Sequence, residues 1–376
     1  PLAGDGFTNG IPFPYSGING LQSGTSGGSS QPQLGNPKLK PEQNTTWEVG
    51  TELSFFKKRF GIDFTYFNTL NQNLIVNAQI ASSSGYQFQF VNTGKIETKG
   101  IEIVISATPV QVADFEWQTS VNFTRIRNKV LELGPGIDNL FRNGFSGSGS
   151  FAIPGQAYGV FYGTAYQKEG DQYVIGPDGL PLIAAENKIL GDPNPNWTAG
   201  WRNRFSYKGV YLTGLLDFRT GGDVWNGTKG ALQFFGTHKD TEDRTAVTTL
   251  EGVKADANGV LLKDGDGNLV KNDVEIVKNQ TFWQSYSSFG GANDPSMEKV
   301  NWVRLRDVSL GYTFPKSFVS MIKLSGLDFS IFARNAILIT NYSGIDPETN
   351  LTGSSSGSGL DYFNMPNTRS FGANLR

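Results

Sequence analysis

From Thr46 to Phe56 the chain alternates in character. Trp47, Val49, Thr51, Leu53 and Phe55 fall on one side, and Glu48, Gly50, Glu52 and Ser54 on the other. A period of two held over so many residues predicts a strand with one apolar and one polar face. After Lys57-Lys58-Arg59 the pattern resumes, with Phe60, Ile62, Phe64 and Tyr66 opposite Gly61, Asp63 and Thr65, which makes a hairpin. The same alternation recurs at Ile101-Ile103-Ile105, Phe115 to Phe123, Trp197 to Tyr207, Val210 to Phe218, Val308 to Phe314, Leu327 to Ala333 and Phe371 to Leu375. Nine strands are predicted, starting near Thr46, Phe60, Thr93, Phe115, Trp197, Val210, Val300, Leu327 and Thr368.

Such strands suit either a soluble sandwich or a barrel in a membrane. Sandwich strands average about five or six residues, whereas these run nine to twelve, with aromatics near both ends, as at Trp47/Phe55 and Trp197/Tyr207. An outward apolar band edged by aromatic girdles, around a polar interior, matches a transmembrane barrel. The connections agree. Lys57 to Arg59, Thr108 to Asp114, Lys208-Gly209 and Pro315 to Gly326 are short turns, while 68–94, 127–196, 219–299 and 341–366 are long and polar. Short turns on one side and long loops on the other is the outer-membrane arrangement. Strand direction keeps the aromatic stretch 157–175 within a long outer loop. An open nine-stranded sheet would leave bare edges in lipid, so a larger barrel is expected. The alternative is a soluble or surface carbohydrate-binding or adhesive β-sandwich, with Trp47, Trp117 and Trp201 in its core.

Composition narrows the function. Gly supplies 47 of 376 residues, and Phe, Tyr and Trp together another 47, a pairing suited to strands and turns. Mean hydropathy is −0.31, as expected where only one face of each strand is apolar. The absence of Cys removes disulfides, thiolate metal sites and a cysteine nucleophile, and the single His238 removes multi-histidine metal sites. Lys+Arg 32 against Asp+Glu 34 shows no basic bias toward nucleic acid.

Several segments resemble one family. Asn36-Pro37-Lys38-Leu39-Lys40-Pro41-Glu42 followed by Trp47-Glu48-Val49-Gly50 is similar to the start of a barrel strand in TonB-dependent receptors. Arg59 to Phe67, Asn92 to Ile96 with Lys99 to Glu102, Leu190 to Pro195, Phe218 to Asp223, Val303 to Tyr312 and Asn341 to Glu348 resemble the SusC-like branch. The resemblance implies an all-β, transmembrane antiparallel barrel of 22 strands around a plug. Residues 46–376 would be its carboxy-terminal part and residues 1–45 an extracellular loop, with plug and amino-terminal strands absent. It further implies active import of oligosaccharides or peptides across the outer membrane of a Gram-negative bacterium, a SusD-like lipoprotein lid and energy from the TonB complex. No cofactor, metal or catalytic residue is expected.

Other motifs carry plainer readings. Asp264-Gly265-Asp266-Gly267-Asn268 begins like a calcium loop, but Leu269 occupies the place of the turn glycine and the twelfth-position Glu is missing. With Asp256-Ala257-Asn258-Gly259, it reads as a hairpin turn. Gly24 to Gly28 and Gly353 to Gly357 match a nucleophile elbow only formally, without the strand and helix that its chemistry needs. Flat aromatic faces in the long loops suit sugar rings or peptide side chains. Trp225, Phe234, Phe235, Trp283, Tyr286 and Tyr342 are therefore the candidate substrate-binding residues. Glu48, Glu52, Arg202, Arg204, Asp217 and Arg219 are expected to line the lumen.

Overall fold

The computed structural model describes residues 33–376 apart from 87, 135, 146 and 352–356. Both formal nucleophile-elbow matches fall at least partly outside these residues, as does most of the 1–45 segment. Nine strands form one antiparallel sheet in chain order: β1 (Gln43–Phe55), β2 (Phe60–Gln72), β3 (Lys95–Val112), β4 (Phe115–Glu132), β5 (Trp197–Tyr207), β6 (Val210–Asn226), β7 (Met297–Thr313), β8 (Asp328–Thr340) and β9 (Ser370–Leu375). All nine coincide with the strands predicted from alternation. The sheet does not close, since β1 and β9 do not pair with each other.

The tight turns follow from backbone chemistry. Lys208 (φ 46°) and Gly209 (φ 87°) join β5 to β6 with both central residues left-handed, the geometry that matches strand twist in a two-residue hairpin. Phe56, Lys57 and Lys58 are also left-handed at the first turn. The expected Thr108 to Asp114 turn is shorter than anticipated. β3 continues to Val112 because Thr108 and Pro109 are absorbed in a bulge, where proline's missing N–H is no loss. Arg59 donates to the carbonyls of both bulge residues, at 3.0 Å and 3.1 Å.

Strand lengths also exceed the expected nine to twelve residues. β3 and β4 run 18 each, and β6 and β7 run 17. Eighteen residues span about 60 Å, twice the roughly 30 Å hydrocarbon core. These strands stand well beyond the membrane on the long-loop side and carry the loops there.

Register sorts the two faces. Trp47, Val49, Leu53, Trp201, Phe205, Leu212, Leu310, Ile331, Ile337, Ile339 and Phe371 share the apolar face, every one of them exposed, up to 75% at Phe371. A soluble monomer rarely exposes so continuous an apolar band. Trp47 is 51% and Trp201 41% exposed, so the sandwich alternative, which needs them in a core, is overturned. Rings cluster near both ends of the band, as at Trp47–Tyr66 (5.3 Å) and Trp117–Phe205 (5.7 Å, stacked). Two polar side chains inside the band, Asn203 and Thr119, are accounted for locally. Trp117 Nε1 donates to Asn203 Oδ1 (3.1 Å) and Trp201 Nε1 to Thr119 Oγ1 (3.0 Å), which satisfies groups that lipid cannot.

On the opposite face several glycines have a packing role. Gly311 lies beneath the Tyr211 ring and Gly100 beneath the Phe67 ring, and a Cβ at either would sit 2.3 Å or 2.2 Å from ring carbons. An aromatic from the neighbouring strand covers the backbone that glycine leaves bare. No helix is long and apolar enough to cross a membrane among the described residues.

Candidate functional site

Glu48, Glu52, Arg202, Arg204, Asp217 and Arg219 all fall on the polar face, as the alternation predicts. They are not gathered into one site. Arg204 lies over the Tyr211 ring (4.4 Å), whose hydroxyl donates to Asp328 Oδ1 (2.8 Å). Arg219 donates to the Pro193 carbonyl (2.7 Å) and so ties β6 to the preceding loop. Asp217 alone joins a larger cluster.

That cluster is built by a bulge. Leu215 pairs with Asp307 and Leu216 with Leu305, which leaves Arg306 as an extra residue in β7. Bulges re-aim side chains and break strict alternation. Here Arg304, Arg306 and Asp307 all reach polar-face partners within four residues. The segment between β8 and β9 folds back onto them. Arg304 Nη2 lies 2.6 Å from Asp346 Oδ1, and its Nε lies 2.9 Å from Glu348 Oε2, an ion pair without the alignment of a hydrogen bond. Arg306 reaches Asp217 (2.6 Å), Glu348 (2.7 Å) and Asn335 (3.2 Å). Arg304 and Asp346 are only 2% and 3% exposed. The same segment is fixed higher up, where Tyr342 Oη donates to Asp361 Oδ2 (2.6 Å) and Ser343 N to Glu298 Oε2 (2.8 Å). Burial and the Asp361 carboxylate push the Tyr342 hydroxyl well above its ordinary pKa.

Sequence reasoning passed over Arg304, Arg306, Asp346 and Glu348 as site residues. The available signal was a phase slip. Apolar positions run Val303-Leu305 and then Val308-Leu310-Tyr312, a spacing of three between Leu305 and Val308 that only a bulge accommodates.

The loop aromatics form a second assembly beyond the strand ends. Helix α1 (Gly227–Phe234) is capped by Asn226, and α2 (Gln280–Tyr286) by Asn279, each through a side-chain oxygen accepting from the third residue on. Rings link up across the loops: Phe145–Trp225 (5.2 Å), Phe145–Tyr362 (4.8 Å), Phe289–Tyr362 (6.3 Å, stacked), Phe234–Phe289 (5.5 Å), Phe282–Tyr286 (5.2 Å) and Tyr166–Tyr286 (5.9 Å, stacked). The candidate residues fare differently from one another. Trp225, Trp283 and Tyr342 were expected in exposed loops but are buried, at 3%, 7% and 6% exposure, because loop packs on loop. Phe234 and Tyr286 sit inside the ring network at its margin, and Phe235 is 66% exposed. Phe234, Phe235 and Trp283 line one cavity of about 280 Å³ together with Arg244, Gln280 and Gln284.

The remaining loop motifs are structural. Asp264 Oδ1 accepts from the N–H groups of Asp266 and Asn268 (both 2.9 Å), and Asp256 Oδ1 accepts from Asn258 and Val260 in the same way (both 2.9 Å). These are turns closed by an aspartate. The backbone N–H groups hold Asp264 below the usual carboxylate range. His238 caps a short turn by accepting from Asp240 N.

Residues 2–335 match the family model described as TonB dependent receptor-like, beta-barrel. The chain belongs to this family. It is 27% identical over 373 residues to TonB-dependent receptor P3 of Formosa agariphila, covering 91% of this chain and 35% of that protein. To TonB-dependent receptor SusC of Bacteroides thetaiotaomicron it is 25% identical over 358 residues, covering 91% and 32%. The fold is similar to that of the RagAB peptide transporter, with a TM-score of 0.64 at 18% identity over 91% of this chain and 36% of that one. The receptor chain therefore spans about a third of the length of the curated relatives it matches. TonB-dependent receptor barrels are outer-membrane proteins, so the exposed apolar face of this one meets lipid and its polar face the lumen.

Proposed function

We propose that this chain is the carboxy-terminal part of an outer-membrane importer of oligosaccharides or peptides. Energy would come from the TonB complex, through parts of the protein outside this chain, and a SusD-like lipoprotein would close over the long loops. The nine long strands would supply barrel wall and the long connections between them the outer loops. The observation that carries this reading is the union of two features on one sheet. A lipid-type face runs along one side, and the other side holds a charged lumen wall that continues upward into an aromatic loop assembly. Such a layout suits binding and passing a solute without covalent chemistry.

Uptake tests the proposal. In the native host, deleting the receptor is expected to abolish import of the oligosaccharide or peptide pool that it serves, and inactivating TonB to do the same. Undiminished uptake of every pool in both strains would refute the transport reading.

A further inference from the structure

The cavity between α1 and α2 has a chemistry of its own. Phe234 and Phe235 form one wall, and Trp283 of α2 another. Arg244 is the only charged residue in a lining that contains no acid. Among the described residues the Arg244 guanidinium has a single partner, the Gly236 carbonyl at 3.2 Å, and no carboxylate. Of the acids near it in sequence, Glu242 forms no ion pair with it among the described residues, and the two aspartates have other partners. Asp243 accepts from Thr245 and Ala246, and Asp240 from Gln233. Trp283 is 7% exposed, and its buried indole N–H has no acceptor among the described residues. A buried donor left unpaired is costly. Gln280 and Gln284, one helical turn apart on α2, add carboxamides that can both donate and accept.

We infer that this cavity is a cargo subsite for a carboxylate carried beside a flat apolar face, with Arg244 as its anion anchor. Arginine presents a planar fork that matches a carboxylate in two parallel hydrogen bonds. The Phe234, Phe235 and Trp283 rings supply the stacking surface. A volume of about 280 Å³ admits one sugar ring or one side chain rather than a whole oligomer. The inference rests on the import reading, since it makes the loop assembly a cargo surface. Two sources offer this chemistry: an acidic sugar in an oligosaccharide, and an acidic residue beside an aromatic one in a peptide.

Binding to the detergent-solubilised receptor carrying this chain, with its lid protein, separates them. The probes are a galacturonate trimer against its carboxyl-reduced form, and a phenylalanine–aspartate hexapeptide against its asparagine counterpart. The charged member of one pair is expected to bind at least tenfold more tightly, and the pair identifies the source. Arg244→Gln is expected to erase that preference, with Arg244→Lys restoring part of it. Because Arg244 is exposed, neither change threatens folding. Absence of a charge preference in both pairs, or a preference that survives Arg244→Gln, overturns the inference. Continued import of native cargo in either of those cases leaves the transport reading standing.

Discussion

Replacing Arg304 with alanine is expected to destabilise the receptor by about 3–5 kcal/mol, the cost of removing one partner from a buried ion pair. Arg304 is 2% exposed and serves both Asp346 and Glu348. Its loss leaves Asp346, 3% exposed, with backbone N–H donors from Glu348 and Asn367 but no cation among the described residues, and leaves Glu348 with Arg306 as its cation. The damage should be local before it is global, because the pair joins β7 to the segment that returns from β8. Limited proteolysis is expected to cut within 341–369 in Arg304→Ala and to spare the native protein. A denaturant titration of the membrane-inserted receptor would supply the free energy. Replacing both Arg304 and Asp346 with apolar residues of similar volume should recover much of the loss, since the desolvation of both charges is then avoided. A single variant indistinguishable from wild type would mean that the cluster does not hold the segment.

Arginine at Leu216 is expected to cost about 2–4 kcal/mol, while arginine at Leu215 costs less than about 1 kcal/mol. The two positions are adjacent in β6. Leu216 faces outward between Trp201 and Leu305, in the middle of the apolar band. Leu215 faces inward between Arg202 and Asp307, where a cation finds water and a carboxylate. Comparing the folded fractions of the two variants in lipid vesicles checks the assignment of the faces. Equal penalties would contradict it.

All nine strands were legible because each keeps a period of two, and the Lys208-Gly209 turn because left-handed backbone favours glycine at its second position. The shared polar face of Glu48, Glu52, Arg202, Arg204, Asp217 and Arg219 followed from the same parity. Parity fails where a bulge adds a residue. Proline at 109 therefore looked like the end of β3, and the inward pairing of Arg306 was hidden behind its neighbours Leu305 and Asp307. The Arg304–Asp346 pair joins residues 42 positions apart, with no periodic signal between them. Loop aromatics were identified as a class, but which of them are buried depends on packing between loops distant in sequence. Trp225, for example, donates to Asn293, 68 positions away. Local pattern cannot rank such contacts, so Trp225 and Phe235 looked alike in sequence and differ completely in exposure.

The central claim is that the exposed apolar face is a barrel wall in lipid. Fluorescence in vesicles of lipid brominated along the acyl chain tests it most directly. The receptor is compared with a variant carrying phenylalanine at Trp47, Trp117 and Trp201. The difference between the two, which isolates those three indoles, is expected to be strongly quenched by the brominated lipid and little affected by a water-soluble quencher. Quenching by the water-soluble agent alone would place the face in water and contradict the account.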